Sequence, residues 1–283
     1  MKKGLVLEGG AMRGLFTVGI LDVMMQNNID FDGIIGVSAG AAFGCNYKSK
    51  QQGRALRYNK RFCNDKRYCS RQSWLKTGDL FGADFCYHEL PNKLDIFDIE
   101  TFEKNPQEFY LVCTDIETGK PYYHKCTKGN DECFEYMRAS ASMPLVSNIV
   151  EVGNGKYLDG ALADSIPLNF FESIGYNRNI VILTQTANYI KKPSKAALLM
   201  KIFYRKYPAL QKVIAERHIM YNQQIQYIEK QAKEGKILLL RPEEKLPVNR
   251  ICHDAELLQK TYDIGYEYAL KNINKIKDFL QNG

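Results

Sequence analysis

Apolar and polar positions alternate most legibly in the first fifty residues. Residues 4–7 form a short apolar run with the length of a buried strand. A polar, glycine-rich turn follows at 8–14. Leu15, Phe16, Val18, Ile20, Leu21, Met24 and Met25 then recur at helical spacing until the stop Gln26-Asn27-Asn28. Residues 31–37 make a second apolar run, and Ser38 stands at its end. Residues 39–45 are small and apolar, as a buried helix requires. Strand, helix, strand, helix in this order predicts a parallel sheet with right-handed crossovers.

Downstream, residues 109–114 and 122–124 flank the turn Glu117-Thr118-Gly119-Lys120 and read as a hairpin. A helix is predicted over 132–140. A second hairpin joins 149–152 to 156–158 through Gly153-Asn154-Gly155. Residues 180–184 are a β-branched core strand, and 236–240 a late one. Helical spacing returns over 196–232, with Pro208 as a break, and over 254–280. No linker demands a boundary. The expectation is one α/β domain over 1–283, with a mostly helical C-terminal extension over 190–283.

Two glycine-rich turns carry the chemistry. Gly36, Ser38 and Gly40 follow a strand and open a helix, the arrangement of a nucleophile elbow. The turn is tight enough that larger residues two positions either side of the serine would collide. The helix N-terminus can stabilise a developing anion. The second turn is Gly9, Gly10, Ala11, Met12, Arg13 and Gly14. A dinucleotide fingerprint would have glycine where Ala11 stands, and the Gly-Lys-Ser/Thr of a phosphate loop is absent. Backbone N–H groups of Gly9, Gly10 and Ala11 aimed at a carbonyl oxygen would instead form an oxyanion hole. Arg13 adds positive charge nearby or packs on the helix surface; the sequence leaves both open.

A serine needs a base. Asp159 ends the second hairpin and is followed by Gly160 and Ala161, which let backbone approach closely. Partial burial would raise the Asp159 pKa toward a value useful for proton transfer. The order Ser…Asp…His would also allow a triad of Ser38, Asp159 and His218 or His253, although nothing around any of the four histidines, His88, His124, His218 and His253, marks it as a partner. His124, Cys126 and Cys133 are too irregularly spaced for a metal site, and no metal or other cofactor is expected.

Composition adds less. The chain has 283 residues, and its 45% apolar content suffices for a large core. Its eight cysteines show no CxxC spacing and read as reduced, packed thiols. No signal peptide or spanning segment is evident, so a cytoplasmic location is expected, with peripheral contact at the inner membrane face as an extension of it. The net charge of +7 concerns partners rather than fold. Residues 48–76 are dense in Lys and Arg, have Asp65 as their single acid, and interleave Tyr47, Tyr58, Phe62, Tyr68 and Trp74. Residues 189–218 mix Lys191, Lys192, Lys195, Lys201, Arg205 and Lys206 with Leu198, Leu199, Met200, Ile202, Phe203 and Tyr204. Each segment reads either as an anionic-membrane contact or as a solvated face over ordinary core.

Glu-Gly-Gly-Ala-Met-Arg-Gly, Gly-Val-Ser-Ala-Gly, and Ser-Ala-Ser-Met-Pro leading to Asp-Gly-Ala occur in this order within 4–185. Together they resemble the patatin-like phospholipase family. The resemblance implies a three-layer α/β/α sandwich with a mainly parallel sheet and a Ser–Asp dyad without histidine. On that reading Ser38 is the nucleophile, Asp159 the base, and Gly9, Gly10 and Ala11 the oxyanion hole. The implied activity is hydrolysis of lipid acyl esters, phospholipid or lysophospholipid, through an acyl-enzyme. The alternatives are an acyltransferase and a lipid-binding protein with a vestigial dyad. An acyl-ester lipid is the expected partner, and nucleic acid is not expected. Glu8 and Ala11 depart from the plant pattern Asp-Gly-Gly-Gly-x-Arg-Gly. The sequence leaves the role of the extension and the oligomeric state open.

Overall fold

A computed structural model describes residues 1–281. Its strands are β1 (Lys2–Leu7), β2 (Gly33–Val37), β3 (Glu108–Asp115), β4 (Pro121–Lys125), β5 (Val150–Val152), β6 (Gly155–Asp159), β7 (Tyr176–Ile182) and β8 (Ile237–Leu240). The helices are α1 (Gly14–Gln26), α2 (Ala39–Lys48), α3 (Arg54–Phe62), α4 (Arg71–Thr77), α5 (Ile99–Lys104), α6 (Asp131–Ala141), α7 (Leu168–Ser173), α8 (Ala197–Phe203), α9 (Pro208–Lys233) and α10 (Ala255–Gln281). A wider helical segment, Phe85–Leu94, precedes α5.

Strands β3, β2, β1, β7 and β8 run parallel in that order. The hairpin partners β4 and β6 pair antiparallel to β3, and β5 to β6. Successive side chains of a strand point to opposite faces. Leu5, Leu7, Ile34, Leu111, Ile180 and Ile182 therefore pack with Phe16 and Ile20 of α1 and Ala269 and Ile276 of α10. Val6, Ile35, Val37, Val112 and Val181 pack on the other face with Phe171 of α7 and Tyr221 and Ile228 of α9. The result is the expected three-layer α/β/α arrangement. Pro208 separates α8 from α9 and occupies the first turn of α9, where its missing N–H costs nothing.

Sequence periodicity did not foresee α3, α4, the Phe85–Leu94 segment, α5 or α7. All are short, and packing on the larger elements decides their form. The thiol expectation is corrected at two positions: Cys126 and Cys133 are joined by a disulfide, with their Cα atoms 5.8 Å apart. They hold each other rather than a metal, while His124 stacks on Tyr136 at 3.7 Å between ring centroids. Among the described residues no helix is long and apolar enough to cross a membrane.

Candidate active site

Strand register brings the serine and the aspartate together. β3 pairs with β2 along one edge through Val112 opposite Val37, and with β4 along the other through Val112 opposite Tyr123. β6 pairs with Cys113, Thr114 and Asp115, and β4 also pairs with the first two of these. β6 must therefore continue along the edge that β2 leaves free. β2 runs toward that junction and ends at Val37; β6 runs the opposite way and ends at Asp159, opposite Cys113. Ser38 and Asp159 thus meet end to end.

Ser38 has φ +55° and ψ −121°, a backbone state that is costly for a residue with a side chain. The surrounding contacts maintain it. Its N–H donates to Ser140 Oγ at 3.0 Å, and its carbonyl accepts from the N–H groups of Ala41 and Ala42 as α2 begins. A Cβ on Gly40 would lie 2.4 Å from the Leu7 carbonyl oxygen, and one on Gly36 would lie 2.5 Å from Gly40. Only glycine fits at either position. Gly14 packs its Cα side against Phe43, and Gly160 against the Val112 carbonyl.

Asp159 is buried. Its Oδ1 accepts the Ala161 N–H at 2.8 Å, and its own N–H donates to the Ser142 carbonyl at 2.8 Å. Burial raises its pKa above the ordinary value. Arg217, the Ala161 N–H, the Ser38 hydroxyl and Arg250 act against that rise. The Ser38 side chain lines one cavity with this carboxylate and favours its charged form. Among the described residues no histidine takes that place. His218 Nδ1 lies 3.0 Å from the Ala215 carbonyl, His253 Nδ1 lies 2.6 Å from that of Cys63, and His88 Nε2 faces Glu135.

The turn at 9–11 lies directly against this pair. A Cβ on Gly9 would sit 2.8 Å from Ser38 Cβ. The N–H groups of Gly9 and Gly10 donate to no protein acceptor among the described residues, which leaves them free for a ligand oxygen. Ala11 adopts φ +49° and lines two of the cavities that meet here. Glu8 is a clamp rather than a reactive group. Its carboxylate accepts the Thr184 N–H at 2.6 Å and the Tyr221 hydroxyl at 2.8 Å, tying the ends of β1 and β7 to α9.

Three cavities converge on Met143. One, of about 120 Å³, is mostly apolar and is walled by Phe43, Tyr58, Tyr68, Phe134 and Met137 beside Ser38. A second, of about 550 Å³, opens past Asp159 toward Met200 and Ile214. A third, of about 50 Å³, holds Glu8, Arg13, Lys191, Arg217 and Arg250 beside Ser38 and Asp159. A hydroxyl against a buried carboxylate, unpaired backbone donors, and an apolar slot together form a set suited to acyl transfer.

Sequence reading named both members of the pair and the donor turn. It assigned no role to Ser140 or Ser142, although the Ser-Ala-Ser-Met-Pro stretch was conspicuous, and these two anchor the backbones of Ser38 and Asp159 respectively. It also missed Arg217 and Arg250, which no local spacing marks. Residues 48–76 divide into a buried set and an exposed set. Tyr47, Tyr58, Phe62 and Tyr68 are buried, Arg54 is buried, and Arg57 pairs with Asp95 at 2.7 Å. This stretch is a charged face over core, with Trp74 and Leu75 as its exposed apolar exceptions.

A family model described as patatin-like phospholipase matches residues 5–171. A second, described as a domain of unknown function, matches residues 207–281. The Escherichia coli protein YjjU is 26% identical over 290 residues, covering 96% of this chain and 78% of its own. The lysophospholipase nte1 of Aspergillus oryzae is 27% identical over 180 residues, 61% of this chain and 11% of that much longer one. The solved structure of VipD from Legionella pneumophila aligns with a TM-score of 0.47 and 10% identity, over 97% of this chain and 67% of that one.

Proposed function

The chain belongs to the patatin-like phospholipase family, and from that premise we propose that it hydrolyses acyl esters of lipids through a Ser38–Asp159 dyad. The observation that carries the proposal is the end-to-end meeting of Ser38 and Asp159 on one edge of β3, with a carboxylate where other serine hydrolases hold histidine. Asp159 takes the hydroxyl proton as Ser38 Oγ bonds to the ester carbonyl carbon. The oxygen that gains charge is received by the N–H groups of Gly9 and Gly10 and the N-terminus of α2. The C–O bond to the alcohol breaks as Asp159 returns the proton to the leaving oxygen. Water then attacks the acyl-Ser38 carbonyl carbon, giving a proton to Asp159; the bond to Ser38 Oγ breaks as Asp159 passes that proton to Oγ, and the fatty acid leaves. The cavity walled by Phe43, Tyr58 and Phe134 suits the start of the acyl chain. Product analysis on 1-acyl lipids with purified protein tests this directly. Released fatty acid is expected, and unaltered lipid overturns the proposal.

A pH profile follows from the buried base. The working form of Asp159 is the carboxylate, so activity falls as pH drops through its folded pKa. Burial raises that pKa, so the acidic limb of kcat/KM on a dissolved short-chain ester should lie above about 4, the usual aspartate value. A limb at or below that value would remove Asp159 as the base.

Membrane contact belongs to α8 on this reading. Leu198, Leu199, Ile202 and Phe203 are exposed, Lys195 and Lys201 flank them, and Met200 lines the cavity beside Asp159. Each such side chain seated in lipid contributes roughly 2 kcal/mol. Changing Leu198, Ile202 and Phe203 together to serine should weaken binding to anionic vesicles at least about tenfold, while turnover of a dissolved ester persists. Unchanged vesicle sedimentation would show that α8 is not the docking face.

A further inference from the structure

Four cations stand beside the dyad that the acyl-transfer steps do not use. Arg13 comes from the turn before α1, Lys191 from the loop after β7, Arg217 from α9, and Arg250 from the loop before α10. All four line the cavity of about 50 Å³ that also holds Ser38 and Asp159. Arg217 and Arg250 lie within the stretch matched by the domain of unknown function.

The charges in this cavity do not balance. Its carboxylates are Glu8 and Asp159. Glu8 is engaged by Thr184 and Tyr221, and Asp159 by the Ala161 N–H. Among the described residues none of the four cations forms an ion pair. Arg13 Nε is buried without a hydrogen-bond partner. The Lys191 ammonium lies over the Tyr221 ring at 4.3 Å from its centroid. Burial, and then the guanidinium groups of Arg217, Arg250 and Arg13, pull its pKa down to about 7 against the opposing pull of Glu8. Like charges gathered in a half-buried pocket repel unless an anion occupies it. Four basic side chains face two carboxylates in this cavity, so an anion such as a phosphomonoester would relieve the repulsion and favour the charged form of Lys191. A phosphodiester bearing an ammonium group would carry less net negative charge and bring another cation in.

We propose that Lys191, Arg217 and Arg250, together with Arg13, bind the phosphomonoester group of an acyl-ester substrate, so that the C-terminal stretch selects the headgroup. This rests on the acyl hydrolase reading, and it gives the domain of unknown function a substrate-binding role. Guanidinium forks suit phosphate oxygens, and the ammonium adds a point charge.

The test compares 1-hexanoyl-glycerol 3-phosphate, 1-hexanoylglycerol and 1-hexanoyl-glycero-3-phosphocholine as dissolved substrates of the purified full chain. The phosphomonoester should have the highest kcat/KM, by about tenfold or more, with the advantage in KM. Lys191→Met and Arg250→Gln should each lower its ratio to the neutral ester by roughly tenfold, and Arg250→Lys should restore part of it. Circular dichroism checks the fold, and Arg250→Lys serves if a harsher variant fails to fold. In an arm independent of turnover, calorimetry on the Ser38→Ala protein should show the phosphomonoester binding, with Lys191→Met weakening it. Inorganic phosphate should bind at least about tenfold more weakly than the phosphomonoester. Equal kcat/KM for all three esters, or ratios unmoved in both variants, would overturn the inference and leave the hydrolase reading intact. Equal binding of inorganic phosphate would make the pocket a free-anion site and also overturn it. No hydrolysis of any ester, with phosphomonoester binding intact and sensitive to Lys191, would refute the hydrolase reading and support the subsite.

Discussion

Ser38→Ala should abolish turnover of a dissolved short-chain ester, with a loss of at least about a thousandfold in kcat, and should end labelling by a fluorophosphonate probe. The side chain at 38 is small and its neighbours hold the backbone, so the fold should survive. The Ser38 N–H still reaches Ser140 Oγ after the change, and Gly36 and Gly40 still allow the turn. Asp159→Asn should fall nearly as far, because an amide cannot accept the hydroxyl proton. The double variant should be little worse than either single one, since both residues serve one proton transfer. Near-normal turnover in Asp159→Asn would break the dyad. Full probe labelling in Ser38→Ala would place the nucleophile elsewhere.

Gly9→Ala should cost about a hundred- to a thousandfold in kcat with a smaller change in KM. The added Cβ would stand 2.8 Å from Ser38 Cβ and 2.8 Å from the Val37 carbonyl oxygen. Neither is the end of a flexible chain, so the turn must move away from the serine. That withdraws the free N–H groups of Gly9 and Gly10 from the oxygen that becomes charged only in the transition state. The ester still binds, because neither Gly9 nor Gly10 lines the apolar cavity of Phe43, Tyr58 and Phe134. A kcat within about threefold of the wild type would show that the turn is not the oxyanion hole.

Local rules carried much of the fold. The runs at 4–7 and 31–37 became β1 and β2, the two hairpin signals became β3–β4 and β5–β6, and Pro208 fell at the start of α9. The elbow at Ser38 was legible because a tight strand-to-helix turn restricts its own glycines within five residues. The donor turn was legible for a similar reason. Segments such as α3 and α5, and the wide helical stretch Phe85–Leu94, were not legible, since their short lengths give periodicity too little to act on.

By itself the sequence determined the alternating strands, the helical stripes, the tight turn at Ser38 and the presence of a carboxylate at the end of a hairpin strand. Each depends on contacts among residues a few positions apart. Only the tertiary structure decided that Asp159 meets Ser38, because that requires β6 to take the part of the β3 edge that β2 leaves free. It also decided that Ser140 would support the elbow, that Tyr58, Phe62 and Tyr68 would turn inward while Trp74 stays exposed, that Cys126 would join Cys133, and that Arg13, Lys191, Arg217 and Arg250 would share one cavity. These outcomes depend on strand register and on which helices cover which face. Burial over the whole chain fixes both, and no short window of sequence contains that information.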